Sequence, residues 1–98
     1  FIAGLARSEI AARGVTINNI LPGRFDTDRL KSTMRVAAQA CGQSIEALRE
    51  EQQLGIPAGR FGRPDEFGAL CAFLCSVHAG YITGQNMLID GGAYPGTY

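Results

Sequence analysis

The sequence has no excess charge of either sign and no long apolar run. Nine lysine and arginine residues balance nine aspartate and glutamate residues among its 98 residues. A neutral chain offers no electrostatic surface for nucleic acid or an anionic membrane, so neither partner is expected. No stretch approaches the roughly 20 apolar residues of a membrane span, and no signal peptide is recognisable. Because 46% of the residues are hydrophobic, disorder is excluded, and we expect a folded, soluble chain.

Side chains that carry nucleophilic or metal chemistry are scarce. His78 is the single histidine, and no Ser/His/acid or Cys/His set can be assembled around it. Asp26 and Asp28 have no second acidic cluster to accompany them, so no metal site is predicted. The cysteines show no paired zinc spacing, and Cys71 and Cys75 lie four residues apart in an apolar run. This helical spacing predicts buried core thiols and a reducing, cytoplasmic compartment.

The first part of the chain alternates between helical and strand patterns. Apolar residues at three- and four-residue spacing predict an amphipathic helix over residues 1–13 that stops at Gly14. Residues 15–21 are rich in β-branched side chains and lie between this helix and Pro22-Gly23. They therefore predict a short buried strand.

Two further helices are predicted in the middle of the chain. Thr27 or Asp28 can cap the first of them, and Ser44 can cap the second, which is shorter. The shorter helix carries the charged run Arg49-Glu50-Glu51. Such a run predicts a face exposed to solvent.

The strongest helix pattern covers residues 64–77. Proline at position 64 suits a first turn, and the acidic residues that follow favour the positive end of a helix. Phe67, Leu70, Cys71 and Leu74 recur at helical spacing and predict a stripe that is buried on more than one side. Residues 86–90 predict a last short strand.

The order helix, strand, helices, strand predicts a βαβ unit with two parallel strands and a right-handed crossover. Parallel sheets are normally wider and buried on both faces, and strand 15–21 would present a free edge. The pattern therefore predicts half of an open α/β sheet. Phe1 stands first in place of methionine, and the chain opens within a helix, so we expect a segment of a longer protein.

The candidate binding residues follow the first predicted strand, because ligands of open α/β sheets bind beyond the carboxyl ends of strands. Gly23 permits close approach of a ligand to the backbone, Pro22 stiffens the turn, and Thr27 offers a hydroxyl at a helix start. A proline–glycine turn with a threonine cap accounts for the same residues, so both interpretations stay open. Arg60 and Arg63 could contact a phosphate, although surface ion pairs explain them better. No G-x-G-x-x-G phosphate loop occurs in the chain.

Three sequence motifs occur in a fixed order between residues 14 and 92. The first is Gly14-Val15-Thr16-Ile17-Asn18, followed by Leu21-Pro22-Gly23 with Phe25 and Thr27. The second is the octapeptide Gly59-Arg60-Phe61-Gly62-Arg63-Pro64-Asp65-Glu66. The third is the segment 79–85 with Asp90-Gly91-Gly92. In order and spacing they resemble the short-chain dehydrogenase/reductase family, and most closely its 3-oxoacyl-acyl carrier protein reductase type.

The family resemblance implies an incomplete Rossmann-like domain: residues 1–98 would form the C-terminal part of a doubly wound parallel α/β sheet that binds NAD or NADP. It implies that Pro22 and Gly23 lie beside the nicotinamide, that the backbone of Phe25 contacts the carboxamide, and that the Thr27 hydroxyl reaches the carboxamide or pyrophosphate. Isoleucine or valine is commoner at position 25, so phenylalanine should narrow the pocket. Residues 29–54 correspond to the variable substrate lobe of the family.

The resemblance implies an NAD(P)-dependent oxidoreductase that transfers a hydride between nicotinamide and a small carbonyl or alcohol substrate. The family's glycine-rich loop and its Asn, Ser and Tyr-x-x-x-Lys residues do not occur in this sequence. No catalytic residue is therefore assigned, and the chain alone is expected to be inactive. A homo-oligomer, either a dimer or a tetramer, is implied through helix 64–77 and the last strand. The alternative is a truncated, non-catalytic assembly or interaction module.

Overall fold

The computed structural model describes residues 1–95, in which short helices alternate with two short strands. Two 3₁₀ helices, Glu9–Arg13 and Val77–Ala79, accompany the regular elements. In chain order the regular elements are α1 (Ile2–Ala6), β1 (Asn19–Pro22), α2 (Asp28–Cys41), α3 (Ile45–Leu54), α4 (Pro64–Leu74) and β2 (Asn86–Ile89).

The two strands pair in parallel, as the sequence predicted. Asn19 lies opposite Asn86, and Pro22 lies opposite Ile89. β1 starts at Asn19 rather than at residue 15, because Ile17 and Asn18 form hydrogen bonds with the turn that precedes β2 and not with a strand. The Ile17 N–H donates to the side chain of Thr83 at 3.2 Å. The side-chain amide of Asn18 donates to the Ile82 carbonyl and accepts the Gln85 N–H, both at 3.0 Å.

The predicted helix starts at Thr27, Ser44 and Pro64 are confirmed. The Thr27 and Ser44 side chains each accept a backbone N–H three residues on, at 3.2 Å. Pro64 is the first residue of α4. These starts depend on hydrogen bonds within one turn, so local sequence is sufficient to predict them.

Two helices are shorter than predicted, and a serine lies at each break. The Ser8 hydroxyl donates to the Leu5 carbonyl at 2.7 Å, and the predicted helix 1–13 becomes α1 and a separate 3₁₀ helix. The Ser76 hydroxyl donates to the Phe73 carbonyl at 2.6 Å, and α4 ends at Leu74 instead of residue 77. Serine hydroxyls bonded to nearby carbonyls compete with the backbone pattern of an α-helix.

The buried core lies around α2 and α3 and not on α4. Its central members are Met34, Ala38, Leu48, Ile56 and Phe61. The prediction that α4 carries a fully buried stripe is wrong for this chain, and so is the prediction of buried thiols. Phe67, Leu70 and Leu74 are half-buried, whereas Cys71 and Cys75 are exposed. The two cysteines border an open cleft, whose opposite side is formed by residues 16–18 and Ile20, and they are not packed against these residues. None of the helices within residues 1–95 is long and apolar enough to cross a membrane.

Candidate functional site

A cleft of about 490 Å³ lies at the carboxyl end of β1. The structure brings all four predicted binding residues, Pro22, Gly23, Phe25 and Thr27, into its lining. The amino-terminal part of α2 supplies one wall and the start of α4 another. The remaining lining residues are Arg24, Arg29, Leu30, Thr33, Pro64 and Phe67.

Gly23 joins the cleft to the end of β2. Its N–H donates to the Ile89 carbonyl at 2.9 Å. A Cβ at this position would lie 2.6 Å from Asp90 Cβ and 2.8 Å from Asp90 Cα. The sequence explained this glycine by the approach of a ligand, but the neighbouring strand end requires it independently of any ligand.

The backbone of Phe25 is aligned by a bridge to Gly62. The Gly62 N–H donates to the Arg24 carbonyl at 2.9 Å, and the Asp26 N–H donates to the Gly62 carbonyl at 2.8 Å. In this parallel pattern the polar groups of Phe25 itself are directed away from Gly62. The Phe25 carbonyl accepts the N–H of Thr27 at 2.9 Å, whereas its N–H has no acceptor within residues 1–95. Phe25, a residue of the cleft lining, therefore has a backbone donor that is available to a ligand.

The Phe25 ring closes the cleft on the side of α4. It meets the Phe67 ring edge to face, with centroids 5.7 Å apart and planes inclined at 86°. Its other side lies against Gly62, where an added Cβ would be 2.6 Å from Phe25 Cε2. This aromatic contact fixes the distance between the loop after β1 and the first turn of α4.

Thr27 combines two of the properties expected of it. Its oxygen caps α2 by accepting the Leu30 N–H. In the part of the chain that the structure describes, its hydroxyl proton is donated to no acceptor, so a donor stays available at the cleft. The cap is confirmed, and the contact with a ligand stays a prediction.

Arg49 is the residue of this region that sequence reasoning missed. The charged run on α3 predicted a solvated side chain, but the Arg49 guanidinium donates two hydrogen bonds to the Asp26 carboxylate, at 3.1 and 3.0 Å. Its central carbon lies 5.1 Å from the centroid of the Phe61 ring. The paired hydrogen bonds lower the pKa of Asp26 and raise that of Arg49. One feature of the sequence could have indicated this position: Ile45 and Arg49 are four residues apart and therefore lie on the same face of the helix.

The arginines of the loop before α4 form surface ion pairs, as the sequence favoured. Arg60 Nη1 lies 2.7 Å from Glu66 Oε1, and Arg63 Nε lies 3.3 Å from Asp65 Oδ1. Glu66 also accepts the Arg63 N–H at 2.8 Å, which satisfies a donor at the start of α4. The hydrogen bonds from Arg60 and from that N–H lower the pKa of Glu66 from 4.5 to about 2.

We expect the contribution of Glu66 to stability to disappear on acidification. Because its pKa is lower in the folded chain than in the unfolded one, the stabilisation is complete above pH 4.5 and is lost as the pH falls toward about 2. Urea unfolding of the intact protein and its Glu66→Gln variant across this range checks the prediction. The difference between the two should shrink on acidification, and a constant difference would contradict it.

Within residues 1–95, no three histidine, cysteine, aspartate or glutamate side chains are grouped so that they could hold a metal ion. The titratable side chains that line the cleft are Arg24 and Arg29. Arginine keeps its proton at any ordinary pH and does not act as an acid or base. The described cleft can therefore position a ligand by backbone and hydroxyl donors but supplies no group suited to proton transfer.

Comparison with known proteins identifies the family. A family model described as enoyl-(acyl carrier protein) reductase matches residues 3–94. A short chain dehydrogenase family protein from Francisella tularensis superimposes with a TM-score of 0.84 at 28% identity, covering 94% of this chain and 39% of that one. The chain belongs to the short-chain dehydrogenase/reductase family. This confirms the predicted Rossmann-like α/β class.

Two other members of the short-chain dehydrogenase/reductase family illustrate the extent of the match. The 3-oxoacyl-[acyl-carrier-protein] reductase FabG of Vibrio cholerae is 39% identical over 96% of this chain. The structure of YwfH, an NADPH-dependent reductase involved in bacilysin biosynthesis, has a TM-score of 0.83 at 32% identity, covering 97% of this chain and 35% of that one. The chain spans about a third of the length of its curated relatives, 34% in the case of FabG.

Proposed function

We propose that this chain is the nicotinamide-binding segment of an NAD(P)-dependent oxidoreductase, which transfers a hydride between nicotinamide and a small carbonyl or alcohol substrate. The observation that carries the proposal is the free N–H of Phe25 at the cleft beyond β1. The similarity to an NADPH-dependent reductase and to FabG supports it.

The donors of the cleft fit the carboxamide of a nicotinamide ring. The Phe25 N–H is suited to donate to the carboxamide oxygen, because it has no acceptor among the described residues. The Thr27 hydroxyl is a second donor, suited to the carboxamide or the pyrophosphate. Pro22, Leu30 and Phe67 supply apolar surface against which a ring can lie. These contacts would hold the ring in a single orientation.

The dinucleotide, when bound, supplies or accepts the hydride. The residues of this chain bind and orient the ring and keep water from its face, and orientation of this kind contributes to the rate. No residue of the described cleft is assigned the proton transfer to the substrate oxygen. We propose that the predicted lobe 29–54, which contains α3 and all of α2 except its first residue, borders the substrate.

Two broader proposals follow from the family resemblance. We propose a homo-oligomer, a dimer or tetramer, that assembles through α4 and β2. The exposure of Cys71 and Phe73 on α4, and of Cys75 directly after it, supports this proposal, because apolar helix faces favour a covering partner. We also propose that the protein acts in the cytoplasm, where the three cysteines would remain reduced.

The test of the proposed function is a titration of the intact protein from its native source with NADPH and with NADH, together with its intact mass. We expect binding of at least one of them with a dissociation constant on the order of micromolar. Failure to bind either, with a mass of 10.4 kDa, would overturn the proposal and favour the non-catalytic interaction module.

Thr27→Ala is expected to weaken dinucleotide binding and lower turnover, because a donor at the cleft is lost. It also removes the cap of α2, at a cost of about 1 kcal/mol in unfolding free energy. Titration, steady-state kinetics and urea unfolding measure the three effects.

Ser44→Ala is the matched control for Thr27→Ala. Ser44 caps α3 at the same 3.2 Å and does not line the cleft. The two variants should lose similar stability, while only Thr27→Ala changes binding and turnover. Unchanged kinetics in Thr27→Ala would reject the role assigned to its hydroxyl.

A further inference from the structure

Arg49 connects α3 to both sides of the backbone bridge that aligns Phe25. One side of the bridge is the loop after β1, where Arg49 bonds the Asp26 carboxylate through two nitrogens. The other side is the segment containing Gly62, where Arg49 lies over the ring of Phe61. A planar guanidinium that is bound through two nitrogens and also lies over an aromatic ring has little freedom to move.

The surroundings make this contact firmer than an ordinary surface ion pair. The side chains of Arg49 and Asp26 are 26% and 33% exposed, and Phe61 is only 4% exposed within the core. Exposed ion pairs contribute little, whereas a partly shielded pair with paired hydrogen bonds holds its geometry better. One turn further along α3, Gln52 accepts a hydrogen bond from Arg24 of the same loop. Two successive turns of α3 therefore hold the loop.

Asp26 lies between the two donors that the proposed function assigns to the nicotinamide. The Phe25 N–H precedes it and the Thr27 hydroxyl follows it, while its own N–H is bonded to the Gly62 carbonyl at 2.8 Å. The peptide that carries the Phe25 N–H is held by the other bond of the bridge, in which its carbonyl, that of Arg24, accepts the Gly62 N–H at 2.9 Å. Separation of the Asp26 and Gly62 segments would break both bonds and free the Phe25 N–H to change its direction. Arg49 opposes this separation, because it contacts both Asp26 and Phe61, the neighbour of Gly62.

We propose that Arg49 is a positioning residue that holds the Phe25 N–H at the nicotinamide site and couples α3 to that site. The inference rests on the proposed function and adds to it a residue outside the cleft lining. Arg49 is not among the residues that line the cleft. Its effect should therefore be confined to the part of the ligand that the Phe25 N–H contacts, which is the nicotinamide.

The experiment compares two ligands on one protein. Arg49→Met is titrated with NADPH or NADH, whichever the unmodified protein binds, and with the matching ADP-ribose, which lacks the nicotinamide (2′-phospho-ADP-ribose in the case of NADPH). Loss of one hydrogen bond predicts about a fivefold increase in the dissociation constant of the dinucleotide. The dissociation constant of the ADP-ribose should not change, whereas a general loss of structure would weaken both ligands.

Two further variants complete the design. Asp26→Asn keeps the size of the side chain and is expected to reproduce the selective loss, even if Arg49→Met folds poorly. Glu50→Gln, on the exposed face of the same helix, should change neither ligand. Equal weakening of both ligands, or no weakening of either, would overturn the role of Arg49. If the unmodified protein binds neither NADPH nor NADH, the proposed function fails and this inference fails with it.

Discussion

Gly23→Ala is expected to lower the unfolding free energy by about 3 kcal/mol, at the upper end of the usual cost of overpacking. The added Cβ would lie 2.6 Å from Asp90 Cβ and 2.8 Å from Asp90 Cα. Neither atom is the end of a flexible side chain, so the strand ends themselves would have to separate. Separation would stretch the bond from the Gly23 N–H to the Ile89 carbonyl, now 2.9 Å long. Urea unfolding of the intact protein measures the loss.

The same substitution is expected to abolish dinucleotide binding under the proposed function, because Gly23 lines the cleft. Gly55→Ala is the matched control. Gly55 has an ordinary φ of −78°, and a Cβ there would meet only the Gln52 carbonyl oxygen, at 3.5 Å. This control should keep the stability and the binding of the parent. Equal stability of Gly23→Ala and Gly55→Ala would show that the strand ends can move apart without cost.

Gly62→Ala is expected to have the second largest effect, a loss of about 2 kcal/mol of unfolding free energy. Its Cβ would lie 2.6, 2.7 and 3.1 Å from three atoms of the Phe25 ring. The ring cannot simply turn away, since its far side meets Phe67. The added Cβ would instead displace the loop after β1 and with it the Phe25 N–H, so the affinity for the dinucleotide should fall as well. Denaturant unfolding and titration measure both effects.

A double-mutant cycle with Phe25→Val isolates the contact responsible. Valine lacks the three ring atoms that meet the new Cβ and leaves the backbone N–H in place. In the Phe25→Val background, Gly62→Ala should therefore cost less than about 0.5 kcal/mol. If it costs as much there as in the parent, the contact with Phe25 is not the reason for glycine at this position.

Both glycines and Arg49 act on one short segment, residues 23–27. β2 supports it through Gly23, the loop before α4 supports it through Gly62, and α3 supports it through Arg49. The three supports come from elements that are distant in the chain. A cleft that uses a backbone donor depends on such supports, because a backbone N–H can be aimed only by fixing the chain on both sides of it.

Part of the candidate site could be predicted from the sequence. The position of Pro22-Gly23 after a strand and the family motifs predict four binding residues, and all four line one cleft. Their contacts with a dinucleotide stay predictions. Arg49 could not be predicted in the same way. Its partners Asp26 and Phe61 are distant from it in the chain and lie outside its helix.

The sequence was sufficient to predict features that depend on local contacts, namely the caps at Thr27 and Ser44 and the start of α4 at Pro64. It was also sufficient to predict the parallel order of the two strands. Each of these features depends on residues within a few positions of one another, or on a connection too long for a hairpin. The three sequence motifs also predicted the family.

The tertiary structure alone shows which faces are covered. It left Cys71 and Cys75 exposed, shielded Arg49 against Phe61, and required glycine at position 23 because of the backbone of Asp90. Such outcomes depend on atoms that approach each other from distant parts of the chain. The periodicity of a helix shows which side chains share a face, but the packing of other elements determines whether that face meets protein or water.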